Sequence, residues 1–267
     1  MSIWATNAMP SKYYKLNIGE GLEALSVKNY NSSFPSHFHP TYNITLIYYG
    51  AFNTRLDDNL LVAPSGTILI TNPQEIHSNP FDRNESVSFF TFYVSQDFLE
   101  YCNQSRSIFF NQKVIYDQEL FADLHQFANV IDQAHVLPDY EEGLRQVLSQ
   151  LAMRHGDEMA DLQDTRIKSL FDEFLAEQNL KKFSLEEAAS RFGIDKFKFI
   201  RLFKLQTGLT PNNYFILQRI EKSKSMLKQG NELLSIAIEL GFYDAAHYCN
   251  YFKKFTGISP IAYSTNR

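Results

Sequence analysis

The residues best able to do chemistry in the first half of this chain are three histidines. His37-Phe38-His39 places two imidazoles at i and i+2, on one face of an extended segment. Gly66, Pro73, Glu75 and His77 follow as a second, looser cluster. Imidazoles gathered in this way either ligate a metal or supply the hydrogen bonds of a ligand pocket. Asn43, four residues past His39, is an amide, which binds a divalent cation poorly and cannot act as a base. Glu75 is the acid that could replace it. Hard cations prefer carboxylate oxygens. The pattern therefore favours a pocket for a neutral small molecule, and neither a metal nor another cofactor is expected.

The second half carries a different chemistry, and it carries it twice. Residues 203–214 read FKLQTGLTPNNY and residues 252–263 read FKKFTGISPIAY, so F-K-x-x-T-G-x-[TS]-P-x-x-Y recurs at an offset of 49. A fixed-offset repeat means that one supersecondary unit has been built twice. Each copy is preceded by a small residue four before a glycine, Ala189 to Gly193 and Ala237 to Gly241. Asp195 and Asp244 then stand where they can N-cap a second helix. Helix, glycine-bearing turn and capped helix make a helix-turn-helix, and this chain has two in tandem. The stretch 212–228 reads as a connecting helix of roughly 25 Å at 1.5 Å per residue. Such a rod can hold two recognition helices near the roughly 34 Å spacing of successive major grooves.

In the first recognition helix, Phe199, Leu202 and Phe203 fall at i, i+3 and i+4 and must face the core. That leaves Lys196, Phe197, Lys198, Ile200, Arg201 and Lys204 for DNA. Arg201 can bond a guanine edge through two parallel hydrogen bonds, while Phe197 and Ile200 suit thymine methyls. The lysines suit phosphates. The second recognition helix offers Ala246, His247 and Asn250 outward, with Lys253 and Lys254 for the backbone. Tyr248, Tyr251 and Phe252 turn inward. With an asparagine in place of a cation, its base readout should be the more modest.

Residues from about 165 to 267 resemble the DNA-binding domain of the AraC/XylS family of bacterial transcription regulators. Ala189, Gly193, Arg201, Leu202, Phe203, Lys204, Gly208 and Pro211 carry the resemblance in the first unit. Ile236, Ala237, Gly241, Phe242, Phe252, Lys253, Gly257 and Pro260 carry it in the second. Relatives often place an arginine where this chain has Asn250. The histidine spacing is similar to the first cupin motif, with Asn43 in the place of its glutamate. The stretch from His37 to His77 is thus similar to the cupin-like sensor domain attached to many such regulators. The resemblance implies a barrel that binds a small effector, with His37, His39, Tyr42, Arg55 and His77 as candidate effector-binding residues. It also implies a homodimer, double-stranded promoter or operator DNA and RNA polymerase as partners, and a regulator that is an activator.

The elements that must position these residues follow from pattern. Residues 43–49, 66–71 and 86–94 are rich in β-branched and aromatic residues and are bounded by turn signals at Gly50, Asp57-Asp58-Asn59, Pro64-Ser65-Gly66 and Asn72-Pro73. Short strands with regular turns suggest a β-barrel. From Leu120 to Ile131, and again from Leu144 to Ala152, the apolar period is helical, with Pro138 between. This pair either covers the barrel or joins two chains, and the resemblance favours dimerisation. The polar stretch 156–163 marks the boundary. The expected fold is α+β and multidomain. A cupin-like effector-sensing domain spans 1–115, linking helices span 116–163, and an all-α domain with two helix-turn-helix units spans 164–267.

Charge divides the chain in the same way. Residues 165–267 hold 16 Lys/Arg against 10 Asp/Glu, whereas the rest holds 9 against 20. A basic reader joined to an acidic partner domain suits DNA binding. Cys102 and Cys249 lie in different expected domains and read as unpaired thiols of a reducing cytoplasm. No run approaches the roughly 18 apolar residues of a membrane helix, and no signal peptide is evident, so a cytoplasmic protein without a membrane partner is expected. Two other functions compete with the effector-responsive regulator. One is an effector-independent DNA-binding protein whose barrel serves only oligomerisation or partner contact. The other is a metal-dependent cupin enzyme, which Asn43 counts against.

Overall fold

The computed structural model describes residues 11–16, 18, 22–56, 59–81, 86–132, 140–158, 174–176 and 183–265. Nine strands open the fold: β1 Ser11–Lys15, β2 Glu23–Tyr30, β3 Phe34–His37, β4 Tyr42–Tyr49, β5 Ala51–Leu56, β6 Asn59–Pro64, β7 Ile68–Thr71, β8 His77–Asn79 and β9 Val87–Val94. Helix α1 (Gln96–Cys102) and the short strands β10 (Ile108–Phe109) and β11 (Val114–Ile115) complete that part. β1-β2-β9-β4-β7-β11 form one sheet and β3-β8-β5-β6 a second. Gly50 takes φ +75° between β4 and β5, where a Cβ would meet Ser86 O at 2.3 Å, so only glycine fits this corner.

β4 shows how alternation builds two cores. Tyr42, Ile44 and Leu46 face one way, into an apolar layer shared with Leu120, Leu124, Leu144 and Leu148. Those leucines belong to α2 (Gln118–Asp132) and α3 (Tyr140–His155). Asn43, Thr45 and Ile47 face the other way, toward the second sheet with its Phe34 and Phe52, and Phe38 just beyond β3. The inward stripes of α2 and α3 therefore cover the barrel. Asp157 and Glu158, expected in a polar boundary, form β12 (Asp157–Glu158) and pair with β10. Residues 159–163 of that expected boundary, together with Pro138 and Asp57-Asp58, lie outside the described residues.

The helical domain follows as α4 (Leu185–Arg191), α5 (Lys196–Thr207), α6 (Pro211–Lys228), α7 (Leu233–Glu239), α8 (Ala245–Thr256) and α9 (Pro260–Thr265). The two helix-turn-helix units, α4–α5 and α7–α8, flank α6. Asp195 caps α5 by accepting from Phe197 N and Lys198 N at 2.9 and 3.0 Å. Asp244 caps α8 by accepting from His247 N at 2.7 Å. The repeated threonines also match, with Thr207 Oγ1 2.8 Å from Phe203 O and Thr256 Oγ1 2.7 Å from Phe252 O. Phe199, Phe203, Tyr248 and Phe252 are fully buried.

The barrel and the second unit share one core. Phe255, Ile258 and Tyr263 pack in the same cluster as Tyr13, Leu25, Phe34 and Phe89. A Cβ on Gly257, which takes φ +79°, would meet the Phe34 ring at 3.2 Å. The two domains thus meet through α8 and α9, and α6 adds Tyr214 against Phe38 and Lys228 beside Glu23. No helix among the described residues is long and apolar enough to cross a membrane. Both cysteines are free.

Candidate functional site

The outer faces of α5 and α8 hold the residues expected to read DNA. Lys196, Phe197, Lys198, Arg201 and Lys204 are exposed on α5, and Ile200 is half-buried. Phe197 is 66% exposed, an unusual cost for an aromatic ring with no partner surface to cover it. Ala246, His247, Asn250, Lys253 and Lys254 are exposed along α8. His247 stacks edge-on against Tyr251 and accepts from Tyr243 N at 3.3 Å. Lys198 lies 3.9 Å from Asp195 and Lys196 3.8 Å from Glu186, loose exposed pairs that leave both free to meet phosphates.

Inside the barrel, strand pairing brings the histidines together. His37 on β3 stands directly opposite His77 on β8, and His39 follows two residues on. Their ring centroids lie 4.3 Å (37–77), 4.8 Å (37–39) and 5.5 Å (39–77) apart. One ring nitrogen from each falls within 4.8 Å of the other two. His37 Nδ1 donates to Pro35 O at 2.6 Å and His77 Nδ1 donates to Glu75 O at 2.9 Å, since a carbonyl can only accept. His39 Nδ1 is buried and makes no hydrogen bond among the described residues.

Burial sets the charge of this cluster. It holds His37 and His39 well below the usual histidine range, and the neighbouring imidazoles add to the effect. His77 is lowered too, again chiefly by burial, with Glu75 opposing. All three are neutral near pH 7. The cavity around them holds about 40 Å³ and is walled by Asn43, Thr45, Thr71 and Thr91, with Phe255 and Thr256 of α8 closing it. Those walls are cross-strand neighbours: Asn43 pairs with Thr71, and Thr45 with Thr91.

A larger cavity of about 280 Å³ opens at the domain junction, and His39, Tyr93 and Thr256 line both. Glu23 of β2 anchors its far side. Tyr263 Oη donates to Glu23 Oε1 at 2.7 Å, Lys228 Nζ lies 2.7 Å from the same oxygen, and the Tyr13 hydroxyl donates to the other. Burial raises the Glu23 carboxyl, but Lys224, Lys228 and Tyr13 outweigh it and hold it below the usual carboxylate range.

Two expected effector residues lie elsewhere. Tyr42 faces the α2–α3 side and donates its hydroxyl to Ile108 O at 2.7 Å. Arg55 is exposed on β5, where its neighbour Thr54 points inward. Both corrections follow from strand parity, because a neighbour in sequence takes the opposite face. Glu75 is not a substitute ligand: Lys113 Nζ holds Oε1 at 2.6 Å and Asn72 N donates to Oε2 at 2.9 Å. The argument from Asn43 against a metal also loses its ground, since the three imidazoles converge without a fourth side chain. Sequence reading missed the threonine wall, Glu23, and the part of α8 in the cavity. Thr45, Thr71 and Thr91 carried a signal, as polar residues at inward positions of apolar strands.

Comparisons agree with this arrangement. Residues 21–192 match the model of the AraC-like ligand-binding domain, and residues 188–266 match a helix-turn-helix domain. The chain is 28% identical over 235 residues to the uncharacterised HTH-type transcriptional regulator YbfI of Bacillus subtilis, covering 85% of each chain. It is 22% identical over 243 residues to the HTH-type transcriptional activator RhaS of an Enterobacter species, covering 86% of this chain and 87% of that one. In fold it is similar to the ligand-free form of a ToxT variant from Vibrio cholerae, with a TM-score of 0.56 at 12% identity and 96% of each chain covered.

Proposed function

This chain belongs to the AraC family of helix-turn-helix transcription regulators, and from that premise we propose how its parts divide the work. It binds DNA through its helix-turn-helix domain and carries a ligand-binding domain for a small molecule. In our reading α5 supplies most base readout through Arg201, and α8 adds Asn250, Ala246 and backbone contacts from Lys253 and Lys254. The effector enters the 280 Å³ junction cavity and reaches the histidines past His39, for the 40 Å³ cavity is too small for a metabolite.

One observation carries this reading: Phe255 and Thr256, which wall the histidine cavity, belong to the helix that presents Asn250 to DNA. A ligand preferring one position of α8 shifts the protein toward it by its differential affinity alone. The name of the RhaS relative, a transcriptional activator, supports an activator; RNA polymerase as its partner is our further proposal. We further propose a homodimer. The inward stripes of α2 and α3 are already covered, so the second copy meets their outer faces, where Met153 is 66% exposed. Tyr93→Phe and Thr256→Ala should weaken the response of a promoter reporter while leaving ligand-free DNA affinity close to wild type. An unchanged response in both variants would place the effector outside these cavities.

A further inference from the structure

The histidine cluster has a feature that a hydrogen-bonded pocket does not explain. The Nδ1 atoms of His37 and His77 are committed as donors to Pro35 O and Glu75 O. With these Nδ1 atoms spent as donors, Nε2 is the atom of each ring left to accept or to ligate. A buried polar atom without a partner costs free energy. His39 Nδ1 is such an atom, with no hydrogen bond among the described residues. A Nδ1–H fixed on a backbone carbonyl also orients a metal-ligating imidazole and raises its basicity.

From this geometry we infer that His37, His39 and His77 form a binding site for one borderline divalent transition-metal ion, of the Zn²⁺ and Co²⁺ class. The ion is held by three imidazole nitrogens. Its ligand atoms lie within 4.8 Å of one another, and a tetrahedral ion at about 2.0–2.1 Å from each needs them roughly 3.3 Å apart. Binding therefore requires the rings to turn toward one another. No carboxylate lines the cavity among the described residues, and Glu75 is held by Lys113, so hard cations such as Ca²⁺ and Mg²⁺ are disfavoured. Three protein ligands leave a position open, as in catalytic zinc sites. The cavity is also lined by Thr45, Thr71 and Thr91, and its 40 Å³ of space suits an ion with one or two waters. His39 also lines the junction cavity, so an oxygen donor arriving there can take the open position.

This inference goes beyond the regulator reading and does not depend on it, because metal binding is read on purified full-length protein without DNA. Chelator-treated protein is titrated with Co²⁺ and followed by its visible d–d absorption. Saturation at one equivalent, displacement of the spectrum by Zn²⁺, and a higher melting temperature with either ion are expected. His39→Ala and His77→Ala should each weaken Co²⁺ binding by more than about 100-fold, beyond the roughly 10–100-fold that losing an outer partner costs. His125→Ala, outside the cavity on α2, should bind as wild type does. A wild-type titration that fails to saturate at one equivalent would overturn the inference, even if a histidine variant fails to fold. So would wild-type affinity in both folded histidine variants.

Discussion

Arg201 and Asn250 occupy comparable outer faces of α5 and α8, yet their chemistry is unequal. A guanidinium can hold a guanine edge by two charge-assisted bonds, whereas an amide can hold an adenine edge by two neutral ones. Arg201→Ala should therefore cost roughly 1–3 kcal/mol of binding to the cognate site and relax base preference there. Asn250→Ala should cost less. Quantitative footprinting of the two variants on one operator checks the ranking, and a reversed order would make α8 the principal reader. Lys204→Ala should instead weaken binding about equally on all sequences and flatten the salt dependence by about one unit. A sequence-selective loss for that variant would move Lys204 from phosphate to base.

At the scale of elements, the junction of β2 with α6 and α9 ties the two domains through one carboxylate. Glu23 accepts there from Tyr13 and Tyr263 and pairs with Lys228. Its folded-state pKa is lowered, so its contribution is full above the ordinary carboxylate value. That contribution fades as pH falls through the folded value. Glu23→Gln should cost about 2 kcal/mol near neutrality, the scale of hydrogen bonds to a charged group. The difference in melting temperature between variant and wild type should then shrink as pH drops below the ordinary carboxylate range. A difference that holds constant with pH would mean that Glu23 acts by packing alone. Lys224 is paired with Glu221 at 2.8 Å, so it reports on this junction only in part.

At the scale of the whole molecule, the charge asymmetry and the shared core act together. The basic helical domain gives DNA affinity that falls steeply with salt as counterions are released. The acidic barrel packs against it through Phe34, Phe255 and Tyr263, which lie in one shared core. Light scattering of the full chain should give twice the 30.9 kDa chain mass if the outer faces of α2 and α3 join two copies. Met153→Asp should then shift the population toward monomer. A wild-type monomer at micromolar concentration would remove the dimer from this account.

The repeat F-K-x-x-T-G-x-[TS]-P-x-x-Y, the aspartate caps and the glycine turns determined the two helix-turn-helix units without any tertiary information. Capping, helix termination and the 3.6-residue period are local, so sequence carries them directly. The same locality put Arg201 and Phe197 on an outer face. Strand existence was also legible at β4, β7 and β9, where β-branched and aromatic residues run between turn residues. Which strand lies beside which was not, because pairing depends on chain closure across distant residues. That is why His37 and His39 could be grouped from spacing, while His77 arrived opposite His37 only through the β3–β8 pairing. Tyr42 and Arg55, expected in the pocket, stand on the other face, since a shift of one residue along a strand exchanges the two faces. The use of Phe255 and Thr256 as a wall of the barrel cavity was decided by tertiary structure alone. Their apolar and small polar character fits a helix core equally well, and only the docking of α8 on β3 chooses between them.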